Sequence, residues 1–466
     1  MRTKSSACDS SGAEELSRAA ASNVGWALAG RVAGIAASVL TSALLARLLT
    51  QDDLATYLLA GSAALFAAML ARVGMKQVLV VAVARSLTQA RPELARGAIT
   101  AALKITTIGA AVVSSALYLL VIPWLARSVL NNPRFLQVNL LISLWMMVLA
   151  YQTPVAESFR GLNMLRPASV TDGPLPNLLL ALALIYVIVM YGQLALSSAI
   201  VLSVAAGGAA VSLMYMRLWK RLQELGAAAE SQVVPMLKAG APMLLTAIAA
   251  SALSHASLWI AGALLPLESV AVFGVAVKLV VAVFVPLTIV DAAVQPLLAG
   301  EMARGRETLA QRLLSGIASL AAVPALMVLV AFLCAGDSIV KVIYGSAYES
   351  ASMLVIILSV GQTINVLTGP CGTVLIAAER GGEVLAITLL TGVAAIVITI
   401  AAASTFGVVG LASGVSFGTA LQNAALWAAA RRRTGLWTHA TFRWEALVFA
   451  LGRIGRGKAA IFSSER

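Results

Sequence analysis

Apolar runs of about 20 residues, long enough to cross a hydrocarbon layer as helices, recur along almost the whole chain, each closed by a charge, a glycine or a proline. They predict twelve membrane-crossing helices, at 25–46, 54–73, 98–121, 135–157, 173–190, 194–216, 239–263, 270–297, 309–333, 351–376, 384–403 and 408–430. None shows the strict alternation expected of a membrane barrel strand, so the predicted class is an all-α integral membrane protein. Near the middle the pattern breaks at a basic stretch, Arg217–Lys238. A shift of 216 positions across that stretch brings like residues together: Leu28 with Leu244, Ser38 with Ser254, Thr41 with Ser257, Asp52 with Glu268, Tyr57 with Phe273 and Pro154 with Pro370. The chain therefore reads as two pseudo-repeated six-helix bundles around a central cavity, an arrangement on which many transporters are built. The expected divisions are a polar N-terminus at 1–23, a first bundle at 24–216, a linker at 217–238, a second bundle at 239–430 and a basic tail at 431–466.

Composition strengthens the membrane reading, because 60% apolar and 11% charged residues could not be hidden in one soluble core. The net charge of +13 raises nucleic acid as a partner. The basic residues cluster at the ends of apolar runs, however, so orientation by positive charge accounts for them and no nucleic-acid partner is expected. Most fall on the side shared by both termini, in groups that include Arg72 to Arg96, Arg217–Lys238, Arg304 to Arg312 and Arg431 to Arg433. That side is expected to be cytoplasmic. The polar stretch 1–23 lacks the short apolar core of a cleaved signal. VLVVAVARSL, at 78–87, is apolar but short and reads as a helix lying at the interface, and the tail RWEALVFALGRIGRGKAAIF has the mixture of an interfacial anchor. Cys8, Cys334 and Cys371 lie far apart, with neither disulfide nor metal spacing. Two histidines, His255 and His439, and no paired carboxylates at helical spacing within a span argue against an enzyme, and no cofactor is expected.

Four stretches resemble the polysaccharide-exporter branch of the multidrug/oligosaccharidyl-lipid/polysaccharide flippase superfamily: LLARLLTQDDLATYLLA at 44–60, GALLPLESVAVFGVAVKL at 262–279, YGSAYESASMLVIILS at 344–359 and STFGVVGLASG at 404–414. The chain departs from the usual pattern at Thr50 and Gln51, where Gly-Pro is common, and at Ala55, where Gly is common. The resemblance, a Wzx-like one, implies translocation of a lipid-linked oligosaccharide from the inner to the outer leaflet of a bacterial cell membrane by alternating access, for O-antigen, lipopolysaccharide, capsule or exopolysaccharide. Membrane lipids, the lipid-linked oligosaccharide and a glycan polymerase or glycosyltransferases are then the expected partners.

Such a cargo carries phosphate, so cations at membrane depth are the residues to seek; an ionisable group there is costly and normally faces a cavity or a partner. Lys278 is the first candidate, with Gly274 one turn away, followed by Arg31 and Lys104, for which snorkelling to an interface competes. Asp291 is the one carboxylate well inside a span and a candidate for proton or sodium coupling or for charge pairing. His255, Gln362 and Asn365 are candidate polar lining residues, with interhelical hydrogen bonding as the competing role. Pro154 and Pro370 are candidate hinges, because proline removes a helical donor. Two other functions stay open at this point: a drug or metabolite antiporter of the same superfamily, which would favour acidic cavity residues, and a non-transporting scaffold of a glycan-assembly complex.

Overall fold

The computed structural model describes residues 5–130, 132–227, 232–303 and 307–442, with side chains described outside 5–24, 27–28, 242, 290–297, 299–303 and 307. Among these residues the regular structure is helical throughout. The first half comprises α1 (Ser5–Leu48), α2 (Gln51–Ala71), α3 (Met75–Thr88), α4 (Pro92–Val129), α5 (Asn139–Gly161), α6 (Leu165–Asp172), α7 (Pro174–Met190) and α8 (Leu196–Glu224). The second comprises α9 (Val233–Leu264), α10 (Leu267–Ala303), α11 (Glu307–Tyr344), α12 (Ala351–Thr368), α13 (Cys371–Ala377) and α14 (Gly381–Thr434).

Ten spans are long and apolar enough to cross a membrane, and the bent pair α6 and α7, at 44°, is long and apolar enough for an eleventh when taken as one span. The twelfth comes from α14, which counts 54 residues. As a straight rod it would extend ~80 Å at the usual helical rise, far more than a hydrocarbon layer of ~30 Å. At Gly407 the backbone takes φ 60° and ψ −140°, and the chain folds back on itself. Gly410, Gly414 and Gly418 then lie against Ala402, Thr399 and Ala395 in antiparallel order. A Cβ at Gly414 would sit 2.7 Å from the Thr399 Cα, so glycine is what lets the two arms touch.

The doubling is written in the helix ends. Leu48 and Leu264 close the first helix of each half, Gln51 and Leu267 open the second, and Gly161 and Ala377 close equivalent later helices, each pair 216 positions apart. Met190, the last residue of α7, likewise matches Phe406, which precedes the break in α14. The paired prolines do not share a conformation. Pro154 lies inside the continuous α5, whereas Pro370 follows the end of α12, which Gly369 caps. Gly369 takes φ 75°, which suits glycine, and the matching residue in the first half is Thr153, which stays helical. At the departures from the family turn, Thr50 caps α2 by accepting from the Asp53 amide at 3.2 Å, which supplies the end-satisfaction that a Gly-Pro turn does not. The segment at 78–87 forms part of α3, too short to span, with Leu79 and Val83 buried against α4 and α5. The tail sequence from Arg443 onward and linker residues 228–231 lie outside the described residues.

The halves meet where α2 packs on α9 and α10, and α1 on α10 and α11. Gly262 and Gly274 there receive Leu59 and Leu58. On the face opposite the linker, Arg47 donates to the carbonyls of Val342 and Ile343, Gln51 donates to the Ala347 carbonyl at 2.5 Å, and the hydroxyls of Ser42 and Tyr344 share a hydrogen bond at 2.8 Å. On the linker face, the Val73 carbonyl rests against Gly240.

Candidate functional site: a polar cavity between the halves

A cavity of about 510 Å³ lies between the two halves, walled by α1, α2, α5, α7 and α8 on one side and by α9 and α10 on the other. The repeat puts equivalent residues on both walls: Ser38 and Ser254, Thr41 and Ser257, Tyr57 and Phe273 all line it. Small hydroxyl side chains at helical spacing keep such a wall polar without filling the space. Thr41 returns its hydroxyl to the Ala37 carbonyl at 2.7 Å, and Ser254 its own to the Ala250 carbonyl at 2.8 Å. The buried Tyr57 hydroxyl pairs with Ser203 at 2.8 Å.

Lys278 enters this space from α10. Its Nζ lies 3.5 Å from Ser38 Oγ across the interface of the halves, and among the described residues it has no carboxylate partner. The equivalent residue in the first half is Ser62, which accepts the Trp259 indole N–H at 3.0 Å and is itself part of the lining. The cavity is therefore asymmetric in charge, although its frame is repeated. His255 also lines it, stacked on Trp259 with centroids 5.9 Å apart.

Towards the linker face the lining turns to amides and a carboxylate: Gln152, Asn177 and Asp172. Asp172 accepts from Arg160 at 2.6 Å, and Arg160 also holds Glu157, which is 3% exposed. Arg72 donates to Thr153 behind them. Burial pulls the Arg72 guanidinium below its ordinary pKa, while Asp172 and Glu157 pull it up. Asp172 is thus paired with Arg160, with Arg72 and Glu157 in the same cluster, and its charge is largely offset at that end.

Of the other sequence-predicted residues, Arg31 is exposed and stands outside the lining. Its spacing puts it on the Ser38 face of α1, ~10 Å nearer the linker face. Lys104 is exposed on α4 and away from the cavity. Gln362 and Asn365 bond to each other at 3.1 Å on α12, and neither lines the cavity. Asp291 falls in the part of α10 outside the described side chains. The sequence reading omitted Trp145, Gln152, Asp172 and Asn177. A signal existed for two of them, since Trp145 and Gln152 stand seven positions apart on one face of a single helix.

A second hollow, about 1300 Å³ and mainly apolar, runs alongside between α1, α7 and α10, with Val39, Leu40, Ile185 and Pro286 among its walls and Arg47 as its charged lining residue. It is separate from the polar cavity but shares α1 and α10 with it.

A family model described as polysaccharide biosynthesis protein matches residues 20–302. Among solved structures, the lipid II flippase MurJ in an inward closed conformation aligns over 91% of this chain and 90% of its own, at 12% identity and a TM-score of 0.69. An inward-facing multidrug resistance transporter of the MATE family, in the MOP superfamily, aligns over 86% and 94% at 13% identity with a TM-score of 0.67. An outward-facing MATE structure covers 90% and 96% at 14% identity, with a TM-score of 0.53. No curated protein matches the chain. At these identities the likeness to solved structures is one of fold.

Proposed function

This chain belongs to the polysaccharide biosynthesis protein family, and we propose from that premise that it is a flippase which carries a lipid-linked oligosaccharide across the membrane by alternating access. The observation that carries the reading is Lys278, a cation without a carboxylate partner among the described residues, in a hydroxyl-lined cavity between two repeated halves. A polyprenyl pyrophosphate-linked glycan needs a positive site for its phosphate and hydrogen-bonding groups for its sugar. The low dielectric of the bundle strengthens the attraction of a cation for phosphate, while desolvation offsets part of the gain. The adjoining apolar hollow suits a lipid tail that stays in hydrocarbon. An enzyme is not part of this reading.

Among the described residues most Lys and Arg lie towards the linker face, which the positive-inside rule makes the cytoplasmic side in this reading. The contacts of Arg47, Gln51 and Tyr344 then close the outer face, and with Val73 against Gly240 on the linker face the state we infer is inward but closed. The higher TM-score with the inward-facing MATE structure than with the outward-facing one supports this. The functional units would be the bundles 24–216 and 239–430 in a bacterial inner membrane, with Asp291 as a candidate ion-coupling group and a glycan polymerase or glycosyltransferases as partners. The alternative of an antiporter for cationic drugs is disfavoured by the same lysine, which would repel such a cargo. The likeness to the lipid II flippase MurJ supports the lipid-linked class.

Complementation of an export-null strain tests the reading. Lys278→Ala is expected to reduce surface polysaccharide at unchanged membrane abundance, Lys278→Arg to retain part of it, and Lys278→Glu to abolish it. Normal export by Lys278→Glu at wild-type abundance would remove the residue on which the reading rests.

A further inference from the structure

The polar groups of the cavity are divided by chemistry as well as by half. Lys278 and His255 stand on α9 and α10, whereas Trp145, Gln152 and Asn177 stand on α5 and α7. We propose that the α5 and α7 wall is a sugar-binding subsite that decides which glycan is carried, with Trp145 as a stacking surface and the side-chain oxygens of Gln152 and Asn177 as hydroxyl acceptors. This rests on the flippase reading and adds to it the place and the chemistry of sugar recognition.

The two amides fix the direction of hydrogen bonding. Gln152 Nε2 donates to the Thr171 carbonyl and Asn177 Nδ2 to the Gly173 carbonyl, both at 3.0 Å. Because each partner is a carbonyl, the amide nitrogen must face it, and the amide oxygen is left over. Among the described residues neither Gln152 Oε1 nor Asn177 Oδ1 receives a donor. Acceptors of this kind pair with hydroxyl groups and repel phosphate oxygens, which are acceptors too. Asp172, at the same end, is already held by Arg160. Phosphate therefore belongs at the Lys278 wall and sugar at the opposite one.

Trp145 supplies the second element of carbohydrate recognition, a flat apolar surface for the C–H face of a ring. It stands two turns, ~10 Å, from Gln152 on the same helix face. Its ring is braced by Tyr57, with centroids 5.1 Å apart, and lodges against Gly61, where a Cβ would come within 2.9 Å of the indole. A braced aromatic ring loses little freedom on binding, and acceptors built for substrate hydroxyls discriminate strongly against analogues that lack them.

The test uses the full chain purified from its own host, with the co-purifying polyprenyl lipids extracted and quantified by mass spectrometry as glycosylated and bare polyprenyl pyrophosphate. Trp145→Ala and Gln152→Ala are expected to lower the ratio of glycosylated to bare lipid about fivefold each, as the loss of one net interaction of ~1 kcal/mol implies, without lowering the bare lipid. Trp145→Phe, which keeps an aromatic face, should hold most of the ratio, and Lys278→Ala should lower both lipids together. If Trp145→Ala and Gln152→Ala keep the wild-type ratio while Lys278→Ala loses both lipids, the subsite is wrong and the flippase reading stands. If the wild-type chain carries no polyprenyl lipid, the flippase reading fails and the subsite with it.

Discussion

Lys278 and Ser62 occupy equivalent positions in the two halves and show how a repeated frame acquires a direction: one contributes a cation to the cavity, the other accepts an indole N–H. The sequence offered three cations at membrane depth and put Lys278 first, but it could not say which of them faces a cavity. Arg31, Lys104 and Lys278 all sit among apolar neighbours, and only the packing of helices distant in sequence turns one side chain towards a cavity and leaves another exposed. The role of the Gln152 and Asn177 amides was not legible for a related reason, since it lies in which atom stays unpaired, although the spacing of Gln152 from Trp145 was a signal. Glycine makes the most definite prediction at this scale. Gly414→Val would drive a side chain into the Thr399 backbone of the opposing arm, and a clash with backbone cannot be relieved by a rotamer change. Membrane abundance and Tm of the purified chain are expected to fall sharply, whereas Gly372→Ala, with open space around its Cβ, should leave both near wild type.

At the level of elements, apolar run length was a strong guide, because a bilayer fixes how long a crossing must be. All twelve predicted crossings coincide with described helices, including two in α14, where the reversal at Gly407 is hidden from a simple count of helices. Proline was a weaker guide. It removes one donor in either half, but the outcome depended on the residue before it, Thr153 in one and Gly369 in the other. The contact of α1 with the end of α11, on the face opposite the linker, could not be read from either helix alone. Ser42 and Tyr344 lie 302 positions apart and meet through one hydrogen bond. Tyr344→Phe removes that bond from the closed state at a cost of ~1 kcal/mol, enough to raise the open population about fivefold. Spin labels placed on the 48–51 and 346–348 turns should then report a larger fraction of long distances, with no change in the fold. An unchanged distance distribution would show that the bond does not hold this face shut.

For the molecule as a whole, the doubling was legible because two halves that face each other across one cavity keep the same helix ends and the same small hydroxyl residues. How far the halves open towards one face was not legible, since that is set by contacts between residues scattered over both. The proposed orientation makes its own prediction: a cysteine introduced in the Arg217–Lys238 stretch should resist an impermeant thiol reagent added to intact cells, and one near Asn132 should react. Reaction of the linker in intact cells would invert the topology and with it the inward assignment. Leaflet transfer shows whether a cation between the halves moves a phosphate-bearing glycolipid. The full chain would be reconstituted in liposomes containing a fluorescent derivative of the polyprenyl pyrophosphate-linked oligosaccharide extracted from its own host, and transfer followed by quenching from one side. Transfer well above protein-free liposomes is expected with the wild-type chain and near the protein-free level with Lys278→Glu; transfer by Lys278→Glu at the wild-type rate, or none by the wild type, would rule out a phosphate-carrying role for Lys278.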